Sequence, residues 1–443
     1  RAREASPGAR RVQGRGEGNA DDPVRGVGAA RNWILKEMQS YSPKLQVKFE
    51  KFRVKKQGQR IFKDVDLYNV VAYLPGKKMP DTIVMVSGHY DSLNLGARPA
   101  GAAAGPGADT ASGAGAGAGA PGNTTANMTL ADFEKNAELP APGVCDDGSG
   151  TAAVMELARV MSQFEFDKTL AFVAFAGEEQ GLIGSSLQAV KAKKENQIIE
   201  AVFNNDIIGT DVSGNGRMSN TSVNVYSDET TDSVNQQLSR YLRDVSERYM
   251  PAMKINTVFM GDRLGRGGDH TPFQWEGFAA VRISTPNEIY ANQHRATDTL
   301  ANMSVPYTAK VAKVNLIGAA SLALAPRAPI VLPEPRSTAA PAGGGRRPTP
   351  MIARGTGYDA VLRWRAAGPD TDIKGYTVVM RNTTSPYWEQ EVYVGKVGTY
   401  TLKDISIDDI KFGVKAIGTN GVESLVTPYA YPPRVKVEIE TVQ

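Results

Sequence analysis

Imidazole and carboxylate side chains recur in five short segments spread along this 443-residue chain. His89 stands in Gly-His-Tyr-Asp-Ser, and Asp146 and Asp147 in Cys-Asp-Asp-Gly-Ser-Gly. Glu178 and Glu179 stand in Ala-Gly-Glu-Glu-Gln-Gly, Asp206 in Asn-Asn-Asp-Ile-Ile-Gly, and His294 in Gln-His-Arg-Ala-Thr-Asp-Thr. The chain has only 3 histidines, so these motifs hold most of its imidazole. Neutral imidazole and ionised carboxylate are zinc ligands, and a catalytic site leaves room for water beside them. Two imidazoles and three or more carboxylates could hold a pair of zinc ions in such an open arrangement.

Each motif has a plainer reading. His89 taken alone is a histidine packed at a strand end; as a ligand, it would be oriented by Asp91 accepting from its other ring nitrogen. Asp146 and Asp147 precede a helix start, where acids and serines cap, and capping suits Asp147 or Ser149. Glu178 and Glu179 alone would be a solvated acidic turn; as neighbours pointing different ways, one can bind metal while the other faces substrate. Asp206 lies in an apolar run, and an acid there is rarely buried unless paired or coordinated. His294 sits in a polar loop. His270 follows Asp269 after a Gly-rich run, which places both behind the ligands or against substrate. Met260–His270 and the segment around Tyr290 are expected to shape the pocket.

Apolar runs end where these motifs begin. Strands are expected around Leu45–Val54, Tyr68–Leu74, Thr82–Ser87, Leu170–Phe175, Ile199–Phe203 continuing through Asp206–Ile208, 221–227 and Ala279–Ile283. Helices are expected near 30–38, 150–164, 232–250 and 305–325. Strands alternating with helices imply an α/β sheet, mixed and largely parallel, flanked by helices, with a site at the carboxyl ends of its strands. Residues 1–23 read as a flexible arm and 24–326 as the catalytic domain, with a Gly/Ala-rich insertion over 95–142. Residues 327–352 read as a linker. The segment 353–443 shows short strands at Ala360–Trp364, Gly375–Arg381, Glu391–Val397 and Ile410–Ile417, fitting a small all-β sandwich with a hairpin turn at Gly418–Gly421.

Composition narrows the classes. A net charge of +4 gives no reason to propose nucleic acid as a partner. No apolar run of about 18 residues exists, so no membrane span is expected. The single cysteine, Cys145, excludes an internal disulfide and a cysteine-rich zinc site. The chain begins with Arg1, for which a processed N-terminus and a removed signal peptide are the expectation. Asn-x-Ser/Thr patterns occur at Asn123, Asn127, Asn220, Asn302 and Asn382.

In this order, the five motifs resemble the two-zinc exopeptidases of the bacterial leucyl aminopeptidase type (peptidase family M twenty-eight), over roughly residues 25–325. The resemblance implies that Asp146 bridges two Zn2+ ions. His89 and Asp206 would complete one site, and Glu179 and His294 the other. Glu178 would be the general base and acid toward a zinc-bridged water, Asp91 would orient His89, and the Asp146–Asp147 peptide would be cis. Peptides with a free N-terminus would be the substrates, and the enzyme would be secreted or periplasmic. Cys145, where the family commonly has an acidic or amide residue, and the long insertion depart from the pattern. The C-terminal segment resembles a fibronectin type III module, with surface or matrix contact as its implied role. Sister readings are a carboxypeptidase or a glutaminyl cyclase on the same scaffold; a non-catalytic secreted binding protein would require a lost base or ligand.

Overall fold

The computed structural model describes residues 26–57, 61–96, 129–263, 266–333, 352–354, 358–368 and 370–430. The expected arm, residues 97–128 of the insertion and most of the linker lie outside these. The chain forms two compact units, divided between Leu324 and Ala325.

The first unit is built on an eight-stranded sheet. Its strands are β1 (Gln46–Val54), β2 (Val65–Leu74), β3 (Met79–His89), β4 (Lys168–Phe175), β5 (Ile198–Asn205), β6 (Ser222–Tyr226), β7 (Lys254–Val258) and β8 (Ala280–Ser284), in the order β1-β2-β4-β3-β5-β8-β6-β7. The four central strands, β4, β3, β5 and β8, run parallel to one another, whereas β1/β2, β2/β4 and β6/β8 are antiparallel. Every residue of β4 and β8 is buried, as expected for strands covered on both faces.

The helices of this unit are α1 (Gly26–Tyr41), α2 (Leu130–Asn136), α3 (Ser149–Met161), α4 (Ile183–Lys194), α5 (Val234–Tyr249), α6 (His270–Trp275) and α7 (Val305–Leu324). On one face Ala189 and Ala192 of α4 and Phe273 of α6 close over Val71, Met85, Val173, Phe175 and Val202. Alternation along β5 turns Phe203 to the opposite face, against Gly318 of α7, where α3 and α5 also pack. Phe172, Phe175 and Phe203 are wholly buried and stabilise the sheet by roughly 1.5–3 kcal/mol apiece.

The mixed sheet and its helices follow the expected class, with differences in detail. The expected strand at Asp206–Ile208 does not form, because the chain leaves the sheet after Asn205 and takes a left-handed turn at Ile207, φ 59°. α4 was not anticipated: its buried face is Gly184, Ser185, Gln188, Ala189 and Ala192, too small and polar to show an apolar period. β7 and α6 are short and escaped the pattern in the same way.

The second unit consists of antiparallel sheets. In one, β10 (Ala353–Arg354), β11 (Ala360–Arg365) and β14 (Thr399–Leu402) are joined by β9 (Ile330–Val331), which pairs with β11. The other has the order β13-β12-β15-β16, with β12 (Ile373–Asn382), β13 (Gln390–Gly395), β15 (Ile410–Gly418) and β16 (Thr427–Pro428). Leu362 and Trp364 from one and Tyr376, Val378, Phe412 and Val414 from the other share a core. The linker expected from 327 is thus corrected at its start, where the apolar pair Ile330–Val331 finds β11. The expected hairpin is present: Gly421 N donates to Gly418 O at 2.9 Å. Among the described residues, no helix is long and apolar enough to cross a membrane.

Candidate metal centre

Parallel β4, β3, β5 and β8 bring their carboxyl ends side by side, and the sequence places a candidate ligand at or beyond each. His89 is the last residue of β3, Glu178 and Glu179 follow β4, and Asp206 follows β5. His294 lies in the loop after β8, in a left-handed conformation, φ 55°. Asp146 and Asp147 precede α3, joined by a cis peptide. All seven side chains are buried.

Two triads result, sharing one carboxylate. His89, Asp146 and Asp206 form one, and Asp146, Glu179 and His294 the other. His89 Nε2 stands 3.3 Å from Asp146 Oδ1 and 4.0 Å from Asp206 Oδ1. His294 Nε2 stands 3.1 Å from Asp146 Oδ2 and 3.1 Å from Glu179 Oε1. Two donors on one tetrahedral zinc are roughly 3.3–3.6 Å apart, and the separations here, from 3.1 to 4.0 Å, lie on either side of that span.

The tautomer of His89 argues the same way. Its Nδ1 lies 3.0 Å from the Asp91 backbone carbonyl, an acceptor only, so Nδ1 carries the proton. Nε2 makes no hydrogen bond. In a neutral ring its lone pair would face two carboxylates, an arrangement that calls for a cation there: a metal ion when one is bound, a proton when none is.

The Asp91 carboxylate does something other than expected. It is 3.8 Å from His89 Nδ1, while the backbone carbonyl is nearer, so the carbonyl orients the ring. The carboxylate instead accepts from the backbone N–H groups of Gly177 (2.8 Å), Glu178 (3.3 Å) and Glu179 (3.1 Å). It shapes the turn that carries both glutamates. Asp91→Ala should strand these buried donors and lower stability by on the order of 1–3 kcal/mol. Urea denaturation of the metal-free protein reads this, and an unchanged midpoint would contradict it.

Asp147 ties three elements: its carboxylate accepts from His89 N (3.1 Å), Gly150 N (2.9 Å) and Ile207 N (3.2 Å). A Cβ at Gly150 would sit 2.4 Å from Asp147 Oδ2 and 2.7 Å from the Asn205 carbonyl, so the approach requires glycine. Asp298 accepts from Cys145 N (2.9 Å) and Asp146 N (3.0 Å), fixing the backbone of the shared acid.

Burial alone would lower both imidazoles, but the facing carboxylates prevail. Asp146 and its neighbours raise His89 well above its usual value, and Glu179 and Asp146 push His294 up to about 10. Burial raises Glu178 well above the ordinary range, and the Asp206 and Glu179 charges add to this against His89. Burial, with Asp298 alongside, raises the Cys145 thiol, which stays protonated and is no ligand.

Asp269 and His270 open α6 and are wholly buried. His270 Nε2 lies 2.6 Å from the Gly261 carbonyl, and the adjoining Gly268 backs onto Asp206. Burial, with the Asp91 and Asp206 charges adding to it against His89, pushes Asp269 up to about 7. A shallow pocket open to solvent adjoins Asp146 and Cys145 and is lined by Ile207, Thr210, Glu288, Ile289, Asn292 and Gln293. Tyr290 is half-buried in the same loop, but its neighbours form the wall.

Two further side chains reach the centre from outside the five motifs: Gln293, whose amide donates to Asp146 Oδ2 at 3.0 Å, and Arg282, 3.0 Å from Asp206 Oδ1. An arginine inside the apolar run Ala279–Ile283 was the available signal for the second.

Residues 121–317 match the model for Peptidase family M28. A probable zinc metalloprotease of Pyricularia oryzae (strain 70-15) is 34% identical over 442 residues, spanning 92% of this chain and 77% of that protein. A probable zinc metalloprotease of Pyrenophora teres f. teres is 30% identical, spanning 92% of this chain and 79% of that protein. Among solved structures, the LapA aminopeptidase of Legionella pneumophila is similar over 67% of this chain and 65% of that one, at 19% identity and a TM-score of 0.46.

Proposed function

The chain belongs to peptidase family M28, a zinc metallopeptidase family, and from that premise we propose that it is a two-zinc aminopeptidase releasing N-terminal residues from peptides. One observation carries this reading: Asp146 turns Oδ1 toward His89 and Oδ2 toward His294, each imidazole having a further carboxylate beside it. His89, Asp146 and Asp206 would hold one ion, and Asp146, Glu179 and His294 the other. When bound, the pair supplies the Lewis acidity that activates water at neutral pH and polarises the scissile carbonyl.

The chain's own residues do the rest. Glu178 belongs to neither triad, yet its carboxyl is buried among His89, Asp206, Glu179 and Asp269. It takes the proton from the attacking water and returns it to the leaving amine. Asp91 holds Glu178 and Glu179 in register through their backbone. Secretion belongs to the same proposal, as the family resemblance implies. The second unit is proposed as a contact or spacing module similar to fibronectin type III, supported by its paired antiparallel sheets around Trp364.

The test is mass spectrometry of free and N-blocked peptides incubated with the protein, with and without chelator. Stepwise, chelator-sensitive loss of N-terminal residues from free peptides alone is expected. Trimming from the C-terminus, or cyclisation of N-terminal Gln without cleavage, would move the assignment to a sister activity.

Zinc uptake should also release protons. In the metal-free protein His294, raised to about 10, carries a proton at neutral pH, and His89 is raised in the same direction. A metal must expel it, so affinity rises with pH toward about 10 and falls as acid restores the imidazolium. Calorimetry at pH 7 in two buffers of different ionisation enthalpy measures the release; heats independent of buffer would contradict it.

A further inference from the structure

The loop ahead of α6 carries two arginines, Arg263 and Arg266, that differ in what balances them. Arg263 is matched by acids on two sides: its guanidinium pairs with Glu288, and its Nε lies 3.3 Å from Asp262 Oδ1. Asp262 is shared in turn with Arg282. Arg266, half-buried, has no such match. Its Nη1 donates to the neutral Gln293 Oε1 at 3.3 Å, its buried Nε meets no acceptor, and among the described residues no carboxylate pairs with it. Burial lowers Arg263 to about 10, and the Arg282 and Arg266 charges add to this against Asp262. The acids of this loop are thus taken, and Arg266 faces like charge. A guanidinium offers five N–H donors in a planar fork that matches a carboxylate.

Gln293 places this cation beside the reaction. The amide that accepts from Arg266 through Oε1 donates through Nε2 to Asp146 Oδ2 at 3.0 Å. One neutral side chain therefore separates the guanidinium from the carboxylate shared by both triads. Gln293 also lines the pocket beside Asp146. Residues follow one another along a peptide at about 3.8 Å, so one flanking the scissile bond passes within a side chain's reach of Arg266.

Resting on the aminopeptidase reading above, we propose that Arg266 is a specificity residue that receives a carboxylate of the substrate next to the scissile bond, so that the enzyme prefers acidic peptides. The carboxylate is a side chain of the first or second residue or, in a dipeptide, the free C-terminus; each presents the same two oxygens. Gln293 holds one arm of the fork and keeps it off Asp146, which leaves the remaining donors for substrate. The plainer role, a cation that offsets the acids of the centre, would act on every substrate alike.

Peptide amides with a free N-terminus, in Glu/Gln pairs at the first and at the second position, separate these roles, with Ala-Ala against its amide for the C-terminal carboxylate. The zinc-loaded full-length chain should favour the acidic member of at least one pair by roughly 10–100-fold in kcat/KM, the usual worth of a hydrogen bond to a charged group. Arg266→Gln should abolish that ratio, Arg266→Lys should keep part of it, and Arg266→Glu should shift the preference to Lys at the same position. Arg266→Met serves if Arg266→Gln does not fold. Calorimetric Kd values for the uncleaved pairs on Glu178→Gln should show the same preference without turnover, and adding Arg266→Gln should remove it. Equal values within every pair, or a preference that survives in Arg266→Gln, would overturn the inference and leave the proposed function standing. No cleavage and no binding of any peptide would overturn both.

Discussion

Glu178→Gln should bind zinc like the parent and lose roughly 10²–10⁴-fold in kcat, the usual contribution of a positioned general base. The substitution keeps the shape of the side chain and its backbone hydrogen bonds to Asp91, and it touches neither triad. The amide cannot take a proton from water, so the loss should fall on kcat and leave KM nearly unchanged. Stability supplies a second check. The folded-state value of this carboxyl is raised, first by burial and then by neighbouring carboxylates. An acid raised on folding detracts from stability at every pH above its unfolded value. Metal-free Glu178→Gln should therefore melt no lower than the parent at pH 7. Zinc loss equal to the activity loss would contradict the assignment of Glu178 as the base.

Asp146→Ala should fail more completely. Its carboxylate is the one group common to both triads, so removing it takes a ligand from each ion at once. Zinc content measured on the purified variant should fall to near zero under conditions where the parent retains it, with activity below detection. The imidazoles should respond as well. Asp146 is among the groups that raise His89 and His294 against the effect of burial, so both rings should titrate at lower pH in metal-free Asp146→Ala, as NMR can follow. A variant that keeps one full equivalent of zinc would show that one site does not need this carboxylate.

The residues that meet in the two triads were legible because metal chemistry uses few residue types and a parallel sheet collects them at strand ends. His89, Glu179 and Asp206 could be placed from apolar runs that stop just before them. The supporting groups were not legible in the same way. Asp91 was expected to meet the His89 ring through its carboxylate, but that carboxylate faces three N–H groups of a turn 86–88 residues away. A backbone target has no sequence signature, so only the folded chain identifies it. Gln293 and Asp298 reach Asp146 and its backbone by the same kind of long-range closure. Secondary structure was missed where burial did not require apolar residues. α4 packs a face of Gly, Ser, Gln and Ala, and β9 is an apolar pair inside a Pro-rich stretch.

In the proposed centre one carboxylate, Asp146, joins two metal ions. Anomalous diffraction at the zinc edge from crystals of the zinc-loaded protein tests it most directly. Two peaks about 3.5–4 Å apart are expected, one among His89, Asp146 and Asp206 and the other among Asp146, Glu179 and His294. A single peak at full zinc loading, or a pair of which only one touches Asp146, would contradict the account.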